Sequence, residues 1–353
     1  MTQAEAPGDT PSTNGGGPAP RPPVPAPARS VLERMRTKAN RGLRIARMLG
    51  RGAIATDHPM LVTLVVTRRC NLDCAYCNEY DLVSDPVPLA DLERRVDRIA
   101  RLGTSIVTLS GGEPLLHPQL EEVVARIRRR GMIATLITNG YLLSDERIAK
   151  LNAAGLDYLQ ISIDNLTPDD VSKKSLKVLD VKLRSLARLA AFTVNVNLVV
   201  GAGVRNPEDA LLVAGRAREL GFAPTIGVIH DSDGQLQPLD DRERAVYREI
   251  RGHSGLGFGI IDRFEENLAK GKPTNWRCRA GARYLYVDED GLVHWCSQQR
   301  GTPGTPLLSY GRADMRREYR TEKPCAPFCT IQCVHRSSIM DNWRGRQTPA
   351  PRA

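Results

Sequence analysis

Leu61-Val-Thr-Leu-Val-Val-Thr67 is followed, after two arginines, by Cys70-Asn-Leu-Asp-Cys74-Ala-Tyr76-Cys77. The first segment is a continuous apolar run, which is typical of a strand buried on both faces of a parallel sheet. The second segment places three thiols within eight residues on the loop that leaves this strand. Three thiolates at this spacing can hold three irons of a cubic iron–sulfur cluster and leave the fourth iron open to another ligand.

Two other arrangements of these thiols fit the sequence less well. A structural zinc site needs four ligands, usually as two C-x2-C pairs, and no fourth Cys or His lies near this loop. A disulfide would leave one of the three thiols unpaired. The spacing therefore predicts a [4Fe–4S] cluster held by Cys70, Cys74 and Cys77.

The C-x3-C-x2-C spacing, with the aromatic Tyr76 before the last cysteine, resembles the signature of the radical SAM superfamily. The resemblance implies that S-adenosyl-L-methionine (SAM) binds the open iron through its amino and carboxylate groups. It implies that one electron from the cluster cleaves SAM to a 5′-deoxyadenosyl radical, which abstracts hydrogen from an unreactive C–H bond. It also implies a one-electron reductant such as flavodoxin or ferredoxin as a partner.

The composition limits the class of protein. The chain has 353 residues, a formal net charge of +10, 41% hydrophobic residues and 5% aromatic residues. It contains no apolar run of the ~20 residues that cross a bilayer, and its start lacks the pattern of a signal peptide. Eight cysteines without an export signal favour metal ligation in the cytoplasm over disulfides. Without a nucleic-acid-binding motif, the positive charge does not by itself predict a nucleic-acid partner.

The N-terminal region divides into two parts. Residues 1–28 are rich in Pro, Ala and Gly, so we expect a disordered tail. Residues 29–56 are predicted to contain a basic amphipathic helix, with an apolar stripe among many arginines over residues 30–51. Such a helix can dock on its own domain or make peripheral contact with the inner face of a membrane. Self-docking is favoured, because apolar stripes at this period are most often core contacts.

Strand-like and helix-like segments alternate six times from residue 61 onward. The predicted strands are 61–67, 106–110, 133–138, 158–163, 193–200 and 225–230. Repeated βα units predict a parallel sheet with ligands at the carboxyl ends of its strands. The fold class is therefore α/β, as a partial (β/α)6 TIM-type barrel with a small C-terminal cysteine-rich iron–sulfur extension. A flat doubly wound sheet is the alternative, but its G-x-G-x-x-G turn is missing at the first strand–helix junction.

Further cofactor contacts are placed at the ends of later strands. The second strand ends in Ser-Gly111-Gly112-Glu113-Pro, which resembles the family's GGE motif and implies binding of the methionine amino group of SAM. Ser162 and Asp164 alternate with isoleucines at the fourth strand, and the resemblance implies a contact with ribose or methionine there. A water-filled barrel mouth is the alternative at that position. Asn197 on the fifth strand is a candidate nucleoside contact.

A second group of thiols follows near the C-terminus. Cys278 and Cys296 bracket a predicted hairpin with a Glu-Asp-Gly turn, and the segment after it carries Cys325, Cys329 and Cys333. Four of these thiols could form a closed zinc site. However, the hairpin with its two cysteines resembles the entry to the SPASM and twitch extensions of radical SAM enzymes, which hold auxiliary [4Fe–4S] clusters.

Five thiols are too few for the two auxiliary clusters of a full SPASM domain, which has seven cysteines. The resemblance therefore implies one twitch-like auxiliary cluster, with one of Cys325, Cys329 and Cys333 left over. The predicted domains are a core barrel at 57–235, a helical linker at 236–275, the auxiliary-cluster domain at 276–340 and a tail at 341–353. Arg277, Arg279, Arg283 and His294 lie near this thiol group and are catalytic candidates by location only.

The substrate is the least determined part of the prediction. A small metabolite that is oxidised or rearranged is favoured, because one auxiliary cluster suits it and no folded peptide-binding module is visible before the barrel. A peptide is the second choice and a lipid, suggested by the basic helix, is the third. A non-catalytic iron–sulfur protein that senses redox state is the alternative from a different class.

Overall fold

The computed structural model describes residues 31–201, 203–229, 236–252, 264, 266–341 and 344. Three parts of the sequence prediction lie outside these residues: the N-terminal tail, most of the C-terminal tail, and His230 at the end of the predicted sixth strand. Helices alternate with strands through the first two thirds of the described chain. The strands of this part are β1 Leu61–Thr67, β2 Ile106–Gly111, β3 Ile133–Thr138, β4 Tyr158–Ser162, β5 Thr193–Val200 and β6 Ala223–Val228. The helices are α1 Val31–Ile54, α2 Leu89–Arg101, α3 Leu120–Arg129, α4 Asp145–Ala154, α5 Leu176–Leu189, α6 Asp209–Glu219 and α7 Asp241–Gly252.

The six strands form one parallel sheet in sequence order, from β6 at one edge to β1. Each strand after the first returns through a helix, as right-handed βα crossovers require. This is the mostly parallel α/β sheet of a partial TIM-type barrel, and the predicted fold class is confirmed. Three strands differ from the sequence prediction: β2 continues to Gly111, β4 stops at Ser162, and β6 begins and ends two residues earlier.

Helix α2 shows how the local sequence produces these units. Leu92, Val96 and Ile99 occupy one face of this helix and are fully buried against the sheet. The helix ends where Gly103 takes a φ of 85°, a left-handed conformation that glycine adopts without strain. Helix α4 begins with an N-cap, in which the Ser144 hydroxyl accepts a hydrogen bond from the Arg147 N–H.

The C-terminal region continues the sheet. Strand β7, Tyr284–Val287, pairs in parallel with β1, and the hairpin partner β8, Leu292–His294, pairs with β9, Pro303–Pro306. Helices α8, Arg312–Arg320, and α9, Gln332–Ile339, complete the region. The sequence separates a domain at 276–340 from the barrel, whereas the structure joins the two through the β1–β7 ladder.

Strand β1 lies between two apolar cores. Val62, Leu64 and Val66 point into the large core shared with the barrel helices. Val65 points to the other side, into a smaller core that includes Trp276 and two thiols of the second cysteine group. Because side chains alternate along a strand, one seven-residue strand supports both the barrel and the second thiol group.

The C-terminal half of α1 packs on the barrel. Arg44 forms an ion pair with Asp157 at 3.0 Å, and the Gly52 carbonyl accepts a hydrogen bond from Arg283 at 2.8 Å. These contacts are those of a helix docked on its own domain. Among the described residues, no helix has both the length and the apolar character needed to cross a bilayer.

Candidate functional site

The three-cysteine loop leaves the carboxyl end of β1 and is closed by backbone hydrogen bonds. The Cys70 N–H donates to the Asp81 carbonyl at 2.9 Å, and the Asp81 N–H donates back to Arg68 at 3.0 Å. Burial raises the pKa of the Cys70 thiol to about 11, and the neighbouring thiols of Cys77 and Cys74 add to this rise. All three cysteines line the same cavity, as ligands of one cluster must.

No three Cys, His, Asp or Glu side chains converge on a single metal ion in the described part of the chain. A cubic cluster does not require such convergence, because each thiolate binds a different iron. The three thiols share one cavity wall, which fits a cluster with one open iron. The sequence prediction for Cys70, Cys74 and Cys77 is compatible with this arrangement.

A cavity of about 270 Å³ opens beside the loop, at the carboxyl ends of the strands. It brings together residues that are far apart in the sequence. Its lining includes Cys70, Cys74, Tyr76, Cys77, Glu79, Gly111, Gly112, Thr138, Asn139, Ser162, Lys174, Ser297, Gln298 and Ile331. Residues from β1 to β4 and residues near the second thiol group therefore face one space.

The two glycines after β2 are required by the chain itself. A Cβ on Gly112 would lie 2.2 Å from the Arg68 carbonyl oxygen and 2.4 Å from that of Arg69. A Cβ on Gly111 would meet the Thr67 carbonyl oxygen at 2.0 Å, and Gly111 has a φ of 142°. The sequence analysis expects these glycines to make room for a ligand. The structure shows that they first make room for the backbone that enters the three-cysteine loop.

The Glu113 side chain points into the protein interior, and Glu113 is outside the cavity lining. One carboxylate oxygen accepts hydrogen bonds from the Leu115 N–H at 2.9 Å and the Thr138 hydroxyl at 2.7 Å, and the other accepts from the Asn139 N–H at 2.7 Å. The residue is fully buried, and burial raises the pKa of its carboxyl despite these donors. The contact with methionine that the resemblance implies would have to come through the Glu113 backbone.

Tyr76 and Asp164 meet in a buried polar cluster at one side of the cavity. The Tyr76 hydroxyl donates to the Asp164 carboxylate at 2.6 Å, and the Lys174 ammonium lies 3.1 Å from the same oxygen. Burial lowers the pKa of Lys174, but the Asp164 carboxylate outweighs it and holds this pKa well above the usual value. Burial raises the pKa of the Tyr76 hydroxyl well above its usual value. A charged Lys174 thus faces the cavity.

Ser162 and Asn197 have different environments. Ser162 lines the cavity, as the sequence predicts for a residue that faces SAM. Asn197 lies outside the lining, and its side-chain oxygen accepts a hydrogen bond from the Thr225 hydroxyl at 3.0 Å. Asn197 therefore connects β5 to β6 next to the site, and its predicted nucleoside contact is not supported by the geometry.

Four thiols of the second cysteine group lie together. The Trp276 indole donates to the Ala326 carbonyl at 2.6 Å, which holds the loop of Cys278 against the turn between Cys325 and Cys329. Burial, followed by the charges of Cys278, Cys296 and Cys325, raises the pKa of Cys329 well above its usual value. Burial and the charges of Cys278 and Cys325 raise the pKa of Cys296 to about 12.

Cys333 lies in the first turn of α9 and packs against the same small core as Cys278, Cys296 and Cys329. Burial raises the pKa of its thiol, and the charged groups that act on it include Arg336 and Glu79. Glu79 lines the cavity, and burial raises its pKa to about 7. Cys333 therefore lies on the side of α9 that approaches the cavity.

The charged candidates near the second thiol group have structural partners. Arg283 is fully buried and forms an ion pair with Asp341 at 2.6 Å. His294 bonds to the Asp288 carboxylate at 2.6 Å, and Arg279 stacks on the Tyr319 ring at 3.8 Å. None of the four candidates, Arg277, Arg279, Arg283 and His294, is among the described residues that line the cavity.

Comparison with known proteins decides the family. The model of the radical SAM superfamily matches residues 64–231, which include the three-cysteine loop and the GGE motif. The chain is 33% identical over 255 residues to a PqqA peptide cyclase of Gluconobacter oxydans, covering 67% of this chain and 70% of that protein. The chain belongs to the radical SAM superfamily. As a radical SAM enzyme it uses a [4Fe–4S] cluster and SAM.

Other relatives match over a smaller share of their length. An AdoMet-dependent heme synthase of Methanosarcina barkeri is 32% identical over 173 residues, which is 47% of this radical SAM enzyme and 49% of the relative. Among solved structures, Streptococcus suis SuiB bound to its precursor peptide SuiA has a TM-score of 0.59 at 14% identity, covering 82% of this chain and 70% of that chain. The structure of anSMEcpe with AdoMet and the Cp18Cys peptide has a TM-score of 0.54 at 16% identity. The match covers 78% of this chain and 88% of that chain. These two structures support the fold.

Three residues of the cavity are not evident from the sequence. Lys174 and Glu79 are the cation and the acid among the described lining residues, and the side-chain amide of Asn139 lies 3.8 Å from the Cys70 sulfur. Asn139 belongs to an Asn-Gly pair of the kind common in turns, and Glu79 follows the last cysteine too closely to stand out. Lys174 lies in an irregular segment where no periodicity predicts the direction of a side chain.

Proposed function

We propose that the chain holds its catalytic cluster through Cys70, Cys74 and Cys77 and binds SAM in the adjoining cavity. When bound, this cluster and SAM supply a 5′-deoxyadenosyl radical that removes hydrogen from a substrate C–H bond. The observation that carries the proposal is the cavity itself, which all three thiols line together with Gly111 and Gly112. Residues from four strand ends thus surround the place where a nucleoside would lie.

The lining residues have distinct tasks in this proposal. Lys174 supplies a fixed positive charge for the methionine carboxylate, because Asp164 keeps its ammonium protonated. Ser162 offers a hydroxyl to the nucleoside. Glu113 positions the turn of the GGE motif and the backbone of Asn139 rather than binding through its carboxylate. The part of the cavity near Glu79 and Gln298 is left for the substrate.

We further infer that one auxiliary [4Fe–4S] cluster is held by Cys278, Cys296 and Cys329 with a fourth thiol from Cys325 or Cys333. Cys333 packs against the same small core as the first three, and the charge of Cys325 raises the pKa of Cys278, Cys296 and Cys329, so each of the two is a candidate for the fourth ligand. A fully ligated cluster has no open iron, so its role would be electron transfer. It lies next to the substrate side of the cavity, because Ser297 and Gln298 directly follow Cys296 and line that side.

The substrate class that these findings favour is a peptide. The relative matched over 70% of its length is named a PqqA peptide cyclase, and the match spans 67% of this chain. This reverses the order expected from the sequence, which places a small metabolite first. A small metabolite and a lipid remain as outcomes of the test.

The first experiment tests the enzyme class. The protein is reconstituted anaerobically with iron and sulfide, reduced with dithionite and given SAM, beside a variant in which Cys70, Cys74 and Cys77 are all alanine. We expect about eight irons in the parent and about four in the variant, since each cubic cluster holds four. 5′-Deoxyadenosine should form only with the parent. A parent that holds both clusters and releases no 5′-deoxyadenosine would contradict the proposal.

A second experiment identifies the substrate class. An extract of cells grown on deuterated medium is divided into peptide, small-molecule and lipid fractions, and each is added to the active enzyme. Hydrogen abstraction from the substrate transfers deuterium into 5′-deoxyadenosine, which mass spectrometry detects. We expect transfer from the peptide fraction, and transfer from either other fraction alone would exclude a peptide.

A further inference from the structure

The hydroxyl of Ser172 lies between a carboxylate and the middle thiol of the three-cysteine loop. Its oxygen is 2.6 Å from the Asp164 carboxylate and 3.7 Å from the Cys74 sulfur. Ser172 and Cys74 are both buried, at 2% and 6% exposure. The contact is therefore shielded from water, which would otherwise compete for the sulfur.

Two backbone hydrogen bonds fix this hydroxyl beside the loop. The Ala75 N–H, next to Cys74, donates to the Val171 carbonyl at 3.0 Å, so the segment after β4 is fastened to the three-cysteine loop. The Ser172 N–H donates to the Asp169 carboxylate at 2.7 Å. Ser172 is thus placed by the fold and not by a chance rotamer on a mobile surface.

The direction of the hydrogen bond changes when Cys74 binds iron. With a free thiol, either Cys74 or Ser172 can donate its proton. A thiolate bound to iron has no proton, so the Ser172 hydroxyl is then the donor. Asp164 can release this hydroxyl, because the same carboxylate oxygen keeps the Tyr76 hydroxyl at 2.6 Å and the Lys174 ammonium at 3.1 Å.

We propose that Ser172 is a positioning residue that donates a hydrogen bond to the Cys74 thiolate and raises the reduction potential of the catalytic cluster. Hydrogen bonds to cluster sulfurs stabilise the reduced state, which carries one more negative charge. The inference rests on the proposed function in one respect, since Cys74 must be a cluster ligand. Ser172 is not a cluster ligand, but its hydrogen bond affects how readily the cluster accepts an electron.

The test is a redox titration of reconstituted protein followed by electron paramagnetic resonance, using the signal that SAM perturbs to identify the catalytic cluster. Ser172→Ala should shift the potential to a more negative value, and Ser172→Thr, which keeps the hydroxyl, should restore it. Ser175→Ala is the matched control, because Ser175 is a fully buried hydroxyl three residues along the chain that hydrogen-bonds to no cysteine among the residues the structure describes. A Ser172→Ala potential equal to that of the parent would overturn the proposal.

A measurement on the parent protects the test against a variant that fails to bind iron. After exchange into D2O, pulsed electron paramagnetic resonance should detect a deuteron close to the reduced cluster, and Ser172→Thr should retain it. Absence of this deuteron in the parent would also overturn the role of Ser172. By contrast, a parent that forms no SAM-sensitive cluster would refute the proposed function itself, so the two failures are distinguishable.

Discussion

The Glu113 carboxylate accepts a hydrogen bond from the backbone N–H of Asn139 at 2.7 Å and so ties the end of β2 to the end of β3. Asn139 in turn donates from its side chain to Asn71 at 2.8 Å, inside the three-cysteine loop. A buried carboxylate thus acts on the cluster loop through one intermediate residue. Glu113 is better described as a support of the site than as its ligand.

Replacement of Glu113 by Gln should weaken this support. The new amide can accept hydrogen bonds on one atom only, so its NH2 group would face a backbone N–H or the Thr138 hydroxyl in a buried place. An unsatisfied buried donor costs about 1–3 kcal/mol. We expect the free energy of unfolding in urea to fall by this amount and SAM to bind more weakly. The exposed Glu122→Gln is the control, and an equal effect of both variants would contradict the assignment.

Replacement of Gly112 by Ala should remove the catalytic cluster. The added methyl group would lie 2.2 Å from a backbone carbonyl oxygen of the three-cysteine loop, and backbone cannot turn aside as a side chain can. The expected cost is about 3 kcal/mol or more. Iron analysis should find about four irons per chain, those of the auxiliary cluster. Full iron content in this variant would show that the loop can move away from the added methyl group and still bind the cluster.

Gly215→Ala is the matched control for that variant. Gly215 lies inside α6, and apart from the backbone of the helix itself and its chain neighbours nothing lies within 4 Å of the position where its Cβ would be. Alanine stabilises a helix interior by about 0.5–1 kcal/mol relative to glycine. This variant should keep all of its iron and unfold at slightly higher urea concentration.

Much of the fold could be predicted from the sequence because the signals were local. The apolar run of β1 depends on neighbours within one strand, and the strand lies where the sequence places it. The pairing of β7 with β1 could not be predicted, since the two strands are more than 200 residues apart. A parallel partner of a buried strand has no pattern that distinguishes it from a hairpin strand of a separate domain.

Residue types that the chemistry of the site requires could be predicted from the sequence. The directions in which their side chains point could not. The three thiols of the loop stand out in the sequence because their residue type and spacing suit an iron–sulfur cluster. The inward turn of Glu113 and the approach of Lys174 to Asp164 depend on the backbone course after each strand ends. Sequence spacing does not determine that course. The sequence alone therefore does not show which residues of a motif face the cavity and which face the interior.

Single replacements in the second thiol group should identify the left-over cysteine. Cys329→Ala removes a thiol that interacts with Cys278, Cys296 and Cys325, and should lower the iron content from about eight to about four. Cys325→Ala and Cys333→Ala should differ: the variant that lacks the fourth ligand should fall to about four irons, and the variant that lacks the left-over thiol should keep about eight. Iron and sulfide analysis after reconstitution checks all three variants. Full iron content in both Cys325→Ala and Cys333→Ala would contradict a cluster with four cysteine ligands.

The stability of the protein should fall with acid in a way that depends on His58. Burial, and then the charge of Arg283, lower the pKa of His58 from 6.5 to about 4. The unfolded chain therefore binds a proton below pH 6.5 that the folded chain does not, so stability falls as the pH decreases from this value. From pH 7 to pH 5 the loss should be about 2 kcal/mol, at about 1.4 kcal/mol for each pH unit.

His58→Gln isolates this contribution. Glutamine does not titrate, so the variant should lose less free energy of unfolding between the same two pH values, by about 2 kcal/mol. Urea unfolding at each pH provides the comparison, and the other histidines contribute equally to both proteins. An unchanged pH dependence would mean that His58 is protonated in the folded protein.

Arg283 should prove structural, although its position near the second thiol group makes it a catalytic candidate. It is fully buried, pairs with Asp341 through contacts of 2.6 and 2.9 Å, and donates to the Gly52 carbonyl at 2.8 Å. Arg283→Met removes the closer of two arginines paired with the buried Asp341 carboxylate and leaves Arg344 at 3.1 Å. Breaking a buried ion pair costs about 3–5 kcal/mol, and we expect the lower end of this range because Arg344 stays. The double variant Arg283→Met with Asp341→Leu removes both charges and should recover much of this loss. If Arg283 instead took part in the reaction, the double variant would be stable, hold about eight irons and still fail to transform substrate.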